Sequence, residues 1–429
     1  MMNTNEWYRL DNAAKIFPTI SRKENSATYR LAILLTEEID PEVLQEAVDQ
    51  SLTRYPTLAV WLRRGYFWYF FEKNENQLLV ERESRTPCGH IDPFFNNGYL
   101  MKVFYYGKKI SVETHHSLSD GSGAIEFIRT LTYTYLKLMG KDVDPGDEIL
   151  LPNEIPSRYE LEDSFHNYYQ PAGSAPEKEV DAYTIDGTMF KPFGTHVDTG
   201  TMDVQELRAV AKGHGVTITT FLVARIIRAI YEEHMQFGIY KNPIKIAVPV
   251  NLRAIFPSKT LRNFFAVVHV VIQPDSDMEF ESLLQSIQAQ LLEKTKKEYL
   301  YPKIADHVES ERFLLSRFIP LGLKNTILRF AYHRYGTKVK TATISNLGRI
   351  IFPESVAQWV DHMELIFYPS KRSPMNFGVC SVNGKMSISI SRCIVEPGIP
   401  KRFFRSLAKE DGIHVKIDSN EWEAFHENL

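Results

Sequence analysis

Apolar residues recur along this chain at two spacings, and the switches between them mark out its elements. Alternation through Ser26–Leu35, with Tyr29, Leu31, Ile33 and Leu35 prominent, predicts a strand. Asp40-Pro41 then opens a helix, with aspartate as the cap and proline in the first turn. Its apolar face is Val43, Leu44, Ala47, Val48 and Leu52, and Tyr55-Pro56 ends it. A hairpin is predicted from Leu58–Leu62 and Tyr66–Phe71, turning at Arg63-Arg64-Gly65. Its aromatic run reads as a strand buried on both faces, with an acyl-pocket lining or a membrane contact as alternatives. Strands at Met101–Tyr106 and Lys109–Thr114 lead to a change of period. From Ala124 to about Met139, the residues Ile125, Ile128, Leu131, Tyr135 and Leu138 follow helical spacing.

The stretch from Gly140 to about Gly200 is broken by Pro145-Gly146-Asp147, Pro152, Pro156 and Pro171-Ala172-Gly173, and reads as a crossover. Beyond it the pattern restarts. Helices are predicted at Val204–Lys212, from Thr217–Thr220 through Tyr231, and around Phe280–Leu291. Strands follow at Ile244–Val250 and at Phe264–Ile272, the latter apolar almost throughout and therefore interior. Later strands are Lys340–Ser345, Met363–Tyr368, Phe377–Val382 and Lys385–Arg392. Asn383-Gly384, a strong two-residue hairpin signal, joins the last two. A short helix at Phe403–Ala408 and a strand at Ile413–Ile417 close the chain. Both halves mix helix and strand, and 429 residues suit two domains of about 200 each. The expected division is 1–170, a linker at 171–200, and 201–429.

Charge narrows the choice of partners. The 50 basic and 53 acidic residues give a formal charge of −3 without long single-sign runs, which argues against nucleic acid. Met1–Trp7 lacks the basic start and apolar run of a signal peptide. The most apolar helical stretch, Thr220–Ile230, carries Arg225 and Arg228 and is too short to span a bilayer. Cys88, Cys380 and Cys393 have no metal spacing and fit buried thiols in a reducing compartment. A cytoplasmic monomer is the expectation.

Candidate chemistry falls where the period changes, at Thr114-His115-His116-Ser117-Leu118-Ser119-Asp120-Gly121-Ser122-Gly123. Neighbouring side chains on an extended backbone point to opposite faces, so His115 and His116 do not share one site. With no HExxH, HxH or carboxylate cluster nearby, no metal is expected. The pair reads as one working imidazole and one structural neighbour. Near neutral pH an imidazole accepts and returns a proton. Asp120 is placed to orient it, to cap the following helix, or to pair with an arginine from elsewhere. Gly121 suits a turn with no room for a side chain. By composition alone HHxxxDG occurs by chance in about one such chain in a thousand.

His115-His116-Ser117-Leu118-Ser119-Asp120-Gly121 resembles the HHxxxDG signature of the CoA-dependent acyltransferase superfamily. That superfamily includes chloramphenicol acetyltransferase, condensation domains and alcohol acetyltransferases. Softer likenesses to the bacterial alcohol-acetyltransferase-like branch are Tyr8-Arg9-Leu10-Asp11, Gly65-Tyr66-Phe67-Trp68, Pro249-Val250-Asn251-Leu252-Arg253, Arg262-Asn263-Phe264 and Ser345-Asn346-Leu347-Gly348. Together they cover nearly the whole chain. The resemblance implies an α/β fold of two chloramphenicol-acetyltransferase-like sandwich domains forming a pseudo-dimer, with His116 in a tunnel between them. It assigns the general-base role to His116 and not to His115. It makes Asp120 structural, paired with an arginine for which Arg253 is the candidate.

The implied reaction moves an acyl group, acetyl or short, from a CoA thioester to an alcohol, with no bound cofactor and no covalent intermediate. Ser345 and Asn346 are candidates for oxyanion donation or substrate binding, with turn formation as their alternative. Two other readings accompany it. One is a condensation-type enzyme taking an acyl carrier protein thioester and an amine or hydroxyl acceptor. It is weakened because Pro374–Val379 keeps only Phe377-Gly378 of the condensation-domain DFGWG motif. The other is a non-catalytic ligand or carrier-protein binder. A covalent serine route lacks the GxSxG elbow.

Overall fold

The computed structural model describes residues 6–83, 86–171, 180–236, 240–274, 279–314, 319–331 and 340–420, leaving aside the side chains at 310–314 and 331. Of the expected 171–200 linker, 172–179 lie outside the described residues, as do the first five residues.

The described strands form three sheets. The N-terminal one contains β2 (Thr28–Leu35), β5 (Val80–Arg82), β6 (Met101–Tyr106) and β7 (Lys109–His115). β12 (Val360–Phe367), from the second half of the chain, joins it beside β2, giving the order β12-β2-β7-β6-β5. A small sheet, β1-β4-β3, holds β1 (Trp7–Arg9), β3 (Val60–Arg64) and β4 (Tyr69–Lys73). The third sheet contains β8 (His196–Asp203), β9 (Ile244–Asn251), β10 (Phe265–Ile272), β11 (Ala342–Arg349), β13 (Met375–Val382), β14 (Lys385–Arg392) and β15 (Lys416–Ser419). Its order is β10-β9-β11-β13-β14-β8-β15.

Local signals place the helices. Asp40 accepts from the amides of Glu42 and Val43 and starts the helix Pro41–Leu52. That helix packs with Gly121–Leu138 over the N-terminal sheet, and Ile33, Leu44, Val48, Ile128 and Leu131 share one apolar core. A second core gathers Phe221 and Ile226 of the helix Ile218–Ile230, Leu284 of Phe280–Lys294 and Phe403 of Gly398–Lys409 against the seven-stranded sheet. Asn383 and Gly384, with φ of 51° and 78°, make the tight turn between β13 and β14.

Two expectations are corrected. The aromatic run is not a strand buried on both faces: Gly65 N–H bonds Trp68 O, so residues 65–68 form the turn and the strand begins at Tyr69. Tyr66 is exposed, and of this run only Phe71 is fully buried. Phe264–Ile272 is not an interior strand either. β10 lies at the sheet edge with Ala266, Val268, Val270 and Ile272 in the core, while Phe265, Val267, His269 and Val271 remain half-buried. On the second face Phe265 and Val267 border a cavity, which accounts for apolar residues there on an edge strand.

Two helices, Lys297–Leu314 and Leu321–Ala331, form where no element was expected. Among the described residues no single helix is long and apolar enough to cross a membrane.

Candidate active site

β7 ends at His115, and the next five residues turn the chain into the helix Gly121–Leu138. The two histidines diverge there. His115 is buried, and its Nδ1 lies 2.7 Å from Ser117 Oγ and accepts from the Ser117 amide. Burial holds its pKa down to about 3, so the ring is neutral and its contacts stay within the turn.

His116 faces the other way. Its N–H donates to Ala27 O at 2.9 Å, and its carbonyl accepts from Asn263 Nδ2 at 2.9 Å. The ring stacks on Phe17 with centroids 5.0 Å apart and lies 4.6 Å from Tyr29 and 6.1 Å from Phe265. Its Nδ1 is buried with no hydrogen-bond partner among the described residues. Burial is the chief reason that its pKa falls to about 4; Asp120 pulls it up and Lys340 pushes it down. The imidazole is therefore neutral at pH 7.

Asp120 has four hydrogen-bond donors. Oδ1 caps the helix by accepting from the amides of Ser122 and Gly123 at 3.0 and 3.3 Å. Oδ2 accepts from Arg253 Nη1 and from the Phe264 amide, both at 2.8 Å. The carboxylate is thus occupied in joining the motif to the second half of the chain. The structure places Arg253 against Asp120 and anchors its Nε on Thr260 O at 2.9 Å. Gly121 sits against Leu347, whose Cδ2 would be 2.7 Å from a Cβ, so no side chain fits without movement. Gly123, which drew no attention in the sequence, is more tightly constrained: a Cβ there would lie 2.0 Å from Leu261 O.

His116 lines a cavity of about 430 Å³ whose walls come from both halves of the chain. Phe17, Tyr29 and His116 from the first half and Pro249, Phe265, Thr343 and Ser345 from the second all line it. A second cavity of about 350 Å³, lined by Leu10, Trp68, Tyr69 and Lys324 among others, also touches Phe17 and Phe265. These two rings are therefore the shared wall between two chambers. Trp68 and Tyr69, from the aromatic run, line the second.

Ser345 and Asn346 both line the first cavity, but their roles divide. The Asn346 amide group donates to Thr219 Oγ1 at 3.1 Å, and its oxygen accepts from the Gly348 amide at 2.8 Å. Asn346 thus stabilises an irregularity in β11, where the pairing with β13 slips between Asn346 and Arg349. The Ser345 hydroxyl makes no hydrogen bond to the described residues.

Two contributors were missed by motif reasoning. Asn263 bridges Asp11 Oδ2 at 3.0 Å to the His116 carbonyl; it lay in the Arg262-Asn263-Phe264 likeness without an assigned role. Lys340, read only as the start of a strand, lines the same cavity as His116.

This architecture is the two-domain fold of condensation domains and chloramphenicol-acetyltransferase-like acyltransferases. Polyketide synthase associated protein 5 from Mycobacterium tuberculosis superimposes with a TM-score of 0.58 at 15% identity, covering 94% of this chain and 97% of that one. Trichothecene 15-O-acetyltransferase from Fusarium sporotrichioides gives 0.58 at 11%, covering 94% of each chain. The wax ester synthase/diacylglycerol acyltransferase from Marinobacter aquaeolei gives 0.55 at 13%, covering 94% and 100%. These likenesses define the fold. A family model described as alcohol acetyltransferase matches residues 177–398, and the chain belongs to that family. A search of curated proteins finds no match.

Proposed function

We propose that this acyltransferase moves an acetyl or short acyl group from a CoA thioester to an alcohol, with His116 as general base. The observation that carries the reading is a neutral imidazole, pinned through its own backbone from both sides, on the wall of a cavity that both halves build. Because Nδ1 is buried, Nε2 is the nitrogen that meets a substrate.

In this mechanism the acceptor hydroxyl gives its proton to Nε2 as its oxygen bonds to the thioester carbonyl carbon. The carbonyl electron pair moves onto oxygen, to which the Ser345 hydroxyl, on the same cavity lining, would donate. Collapse of that intermediate breaks the carbon–sulfur bond, and the imidazolium returns the proton to the departing thiolate. Desolvation keeps the imidazole unprotonated at neutral pH, at some cost in basicity. Asp120 holds the turn and takes no proton.

A covalent thiol route has little support. Cys88, Cys380 and Cys393 are all buried, and burial raises each thiol pKa. The alcohol acetyltransferase family match and the O-acetyltransferase among the structural neighbours support oxygen as the acceptor atom. The test is to incubate the protein with acetyl-CoA and a panel of alcohols and to follow free thiol. Alcohol-dependent thiol release is expected, with no acylated protein in the mass spectrum. Absence of release with every alcohol, or a trapped acyl-enzyme, would overturn the reading.

A further inference from the structure

One charged group in the catalytic cavity has no part in the mechanism above. Lys340 lines the same cavity as His116, and its ammonium makes one hydrogen bond, to Thr343 Oγ1 at 2.7 Å. That threonine sits between Ala247 and Asn376 in the sheet, both uncharged and both on the lining. The one carboxylate on that lining is Asp120, whose oxygens are already taken by Arg253 and three backbone amides. Lys340 therefore has no carboxylate partner among the described residues. A desolvated ammonium without a counter-ion is unfavourable, and here burial pulls its pKa down to about 8. An anion brought beside it would offset that cost and restore the charged form.

We propose that Lys340 is an anion anchor and that one of the two reacting groups delivers a carboxylate to it. This rests on reading the cavity as the acyl-transfer site. The phosphates of CoA are the wrong anion, because they lie at the far end of the pantetheine arm from the thioester. Lys340 and His116 line one cavity, and the ammonium charge acts to lower the imidazole's pKa. The carboxylate therefore sits on the acceptor, making it a hydroxy acid, or on the acyl group, making the donor a dicarboxylic monothioester. Val267, Phe265 and Tyr368 supply an apolar wall for the carbon chain between the hydroxyl and carboxylate ends.

Matched substrates separate the two sources. With acetyl-CoA as donor, 6-hydroxyhexanoate is compared with 1-hexanol; with 1-hexanol as acceptor, succinyl-CoA is compared with acetyl-CoA. One carboxylate-bearing member is expected to have kcat/KM at least tenfold higher, as a charge-assisted hydrogen bond implies. Lys340→Met should erase that preference and Lys340→Glu should invert it. Lys340→Met should also melt no lower than the parent, since it removes an uncompensated charge. Equal rates within both pairs, or a preference that survives Lys340→Met, would overturn the proposal while leaving alcohol acetylation intact. If no substrate turns over, calorimetric binding of 6-hydroxyhexanoate and of succinate to the parent and to Lys340→Met decides the matter separately. Loss of binding in the variant supports the anchor, and unchanged or absent binding refutes it. A steep loss of Tm in Lys340→Met would likewise assign the side chain to the scaffold.

Discussion

Arg253 Nη1 and Asp120 Oδ2 lie 2.8 Å apart and largely buried, which ties the turn that carries His116 to the second half of the chain. Phe264 N–H bonds the same carboxylate oxygen, Ser119 Oγ donates to Leu261 O at 2.6 Å, and Asn263 holds the His116 carbonyl. The segment 251–264 therefore fixes the imidazole through its backbone.

Asp120→Ala removes four accepted hydrogen bonds and leaves Arg253 buried beside no carboxylate. Breaking a buried pair in this way costs about 3–5 kcal/mol. Denaturant titration should show that loss, whereas a variant that folds at parental stability yet is inactive would assign Asp120 a direct chemical role.

Gly123 and Gly121 should respond differently to alanine. At Gly123 the added carbon meets the Leu261 carbonyl, which is backbone, at 2.0 Å; at Gly121 it meets the end of the Leu347 side chain at 2.7 Å. Gly123→Ala is expected to lower Tm well beyond Gly121→Ala, since only the second neighbour moves at small cost. Equal Tm values would mean that the two halves are less closely apposed than described here.

Much of this was legible because it is local. Asp40-Pro41, Asp120-Gly121 and Asn383-Gly384 each announce an element within a few residues, and the structure places an element boundary at each. The helices Lys297–Leu314 and Leu321–Ala331 were not, because Pro302 interrupts the first and exposed Leu323, Ile327 and Phe330 blur the apolar face of the second. Tyr66–Phe71 looked like a strand because aromatic residues favour strands and turns alike tolerate them on a surface; burial alone separates the two. The pairing of β12 with β2, and the isolation of Lys340, depend on residues hundreds apart in sequence and leave no local trace.

Acid should destabilise the fold. Burial holds His115 and His116 to about 3 and about 4, whereas the unfolded chain titrates them near 6.5. From about pH 6.5 down to 4 the unfolded chain thus binds protons that the folded chain refuses, so stability falls as pH falls. Asp11 opposes this, since burial raises it to about 6 and the folded state then holds a proton that the unfolded chain has lost. The raised Glu126, Asp163, Asp411 and His362 act with Asp11, and the lowered His90 acts with the two motif histidines, whose depressed rings outweigh the rest between pH 7 and pH 5. The urea midpoint should be lower at pH 5 than at pH 7, and an unchanged or higher midpoint would contradict the burial of these rings.

Ser345 and Asn346 should separate kinetically. Ser345→Ala is expected to lower kcat on the order of 10²-fold with little change in KM, as for loss of an oxyanion donor. Asn346→Ala should act chiefly on stability, because both ends of its amide hold β11 against Thr219 and Gly348. Unchanged kcat in Ser345→Ala would remove that hydroxyl from the reaction.

The most direct test is the rate of alcohol-dependent thiol release from acetyl-CoA by His116→Ala, measured on folded protein with an unchanged melting profile. Removal of a general base predicts a fall of about 10²–10⁴-fold. A variant that still releases thiol at the parental rate would show that the imidazole facing this cavity is not the base.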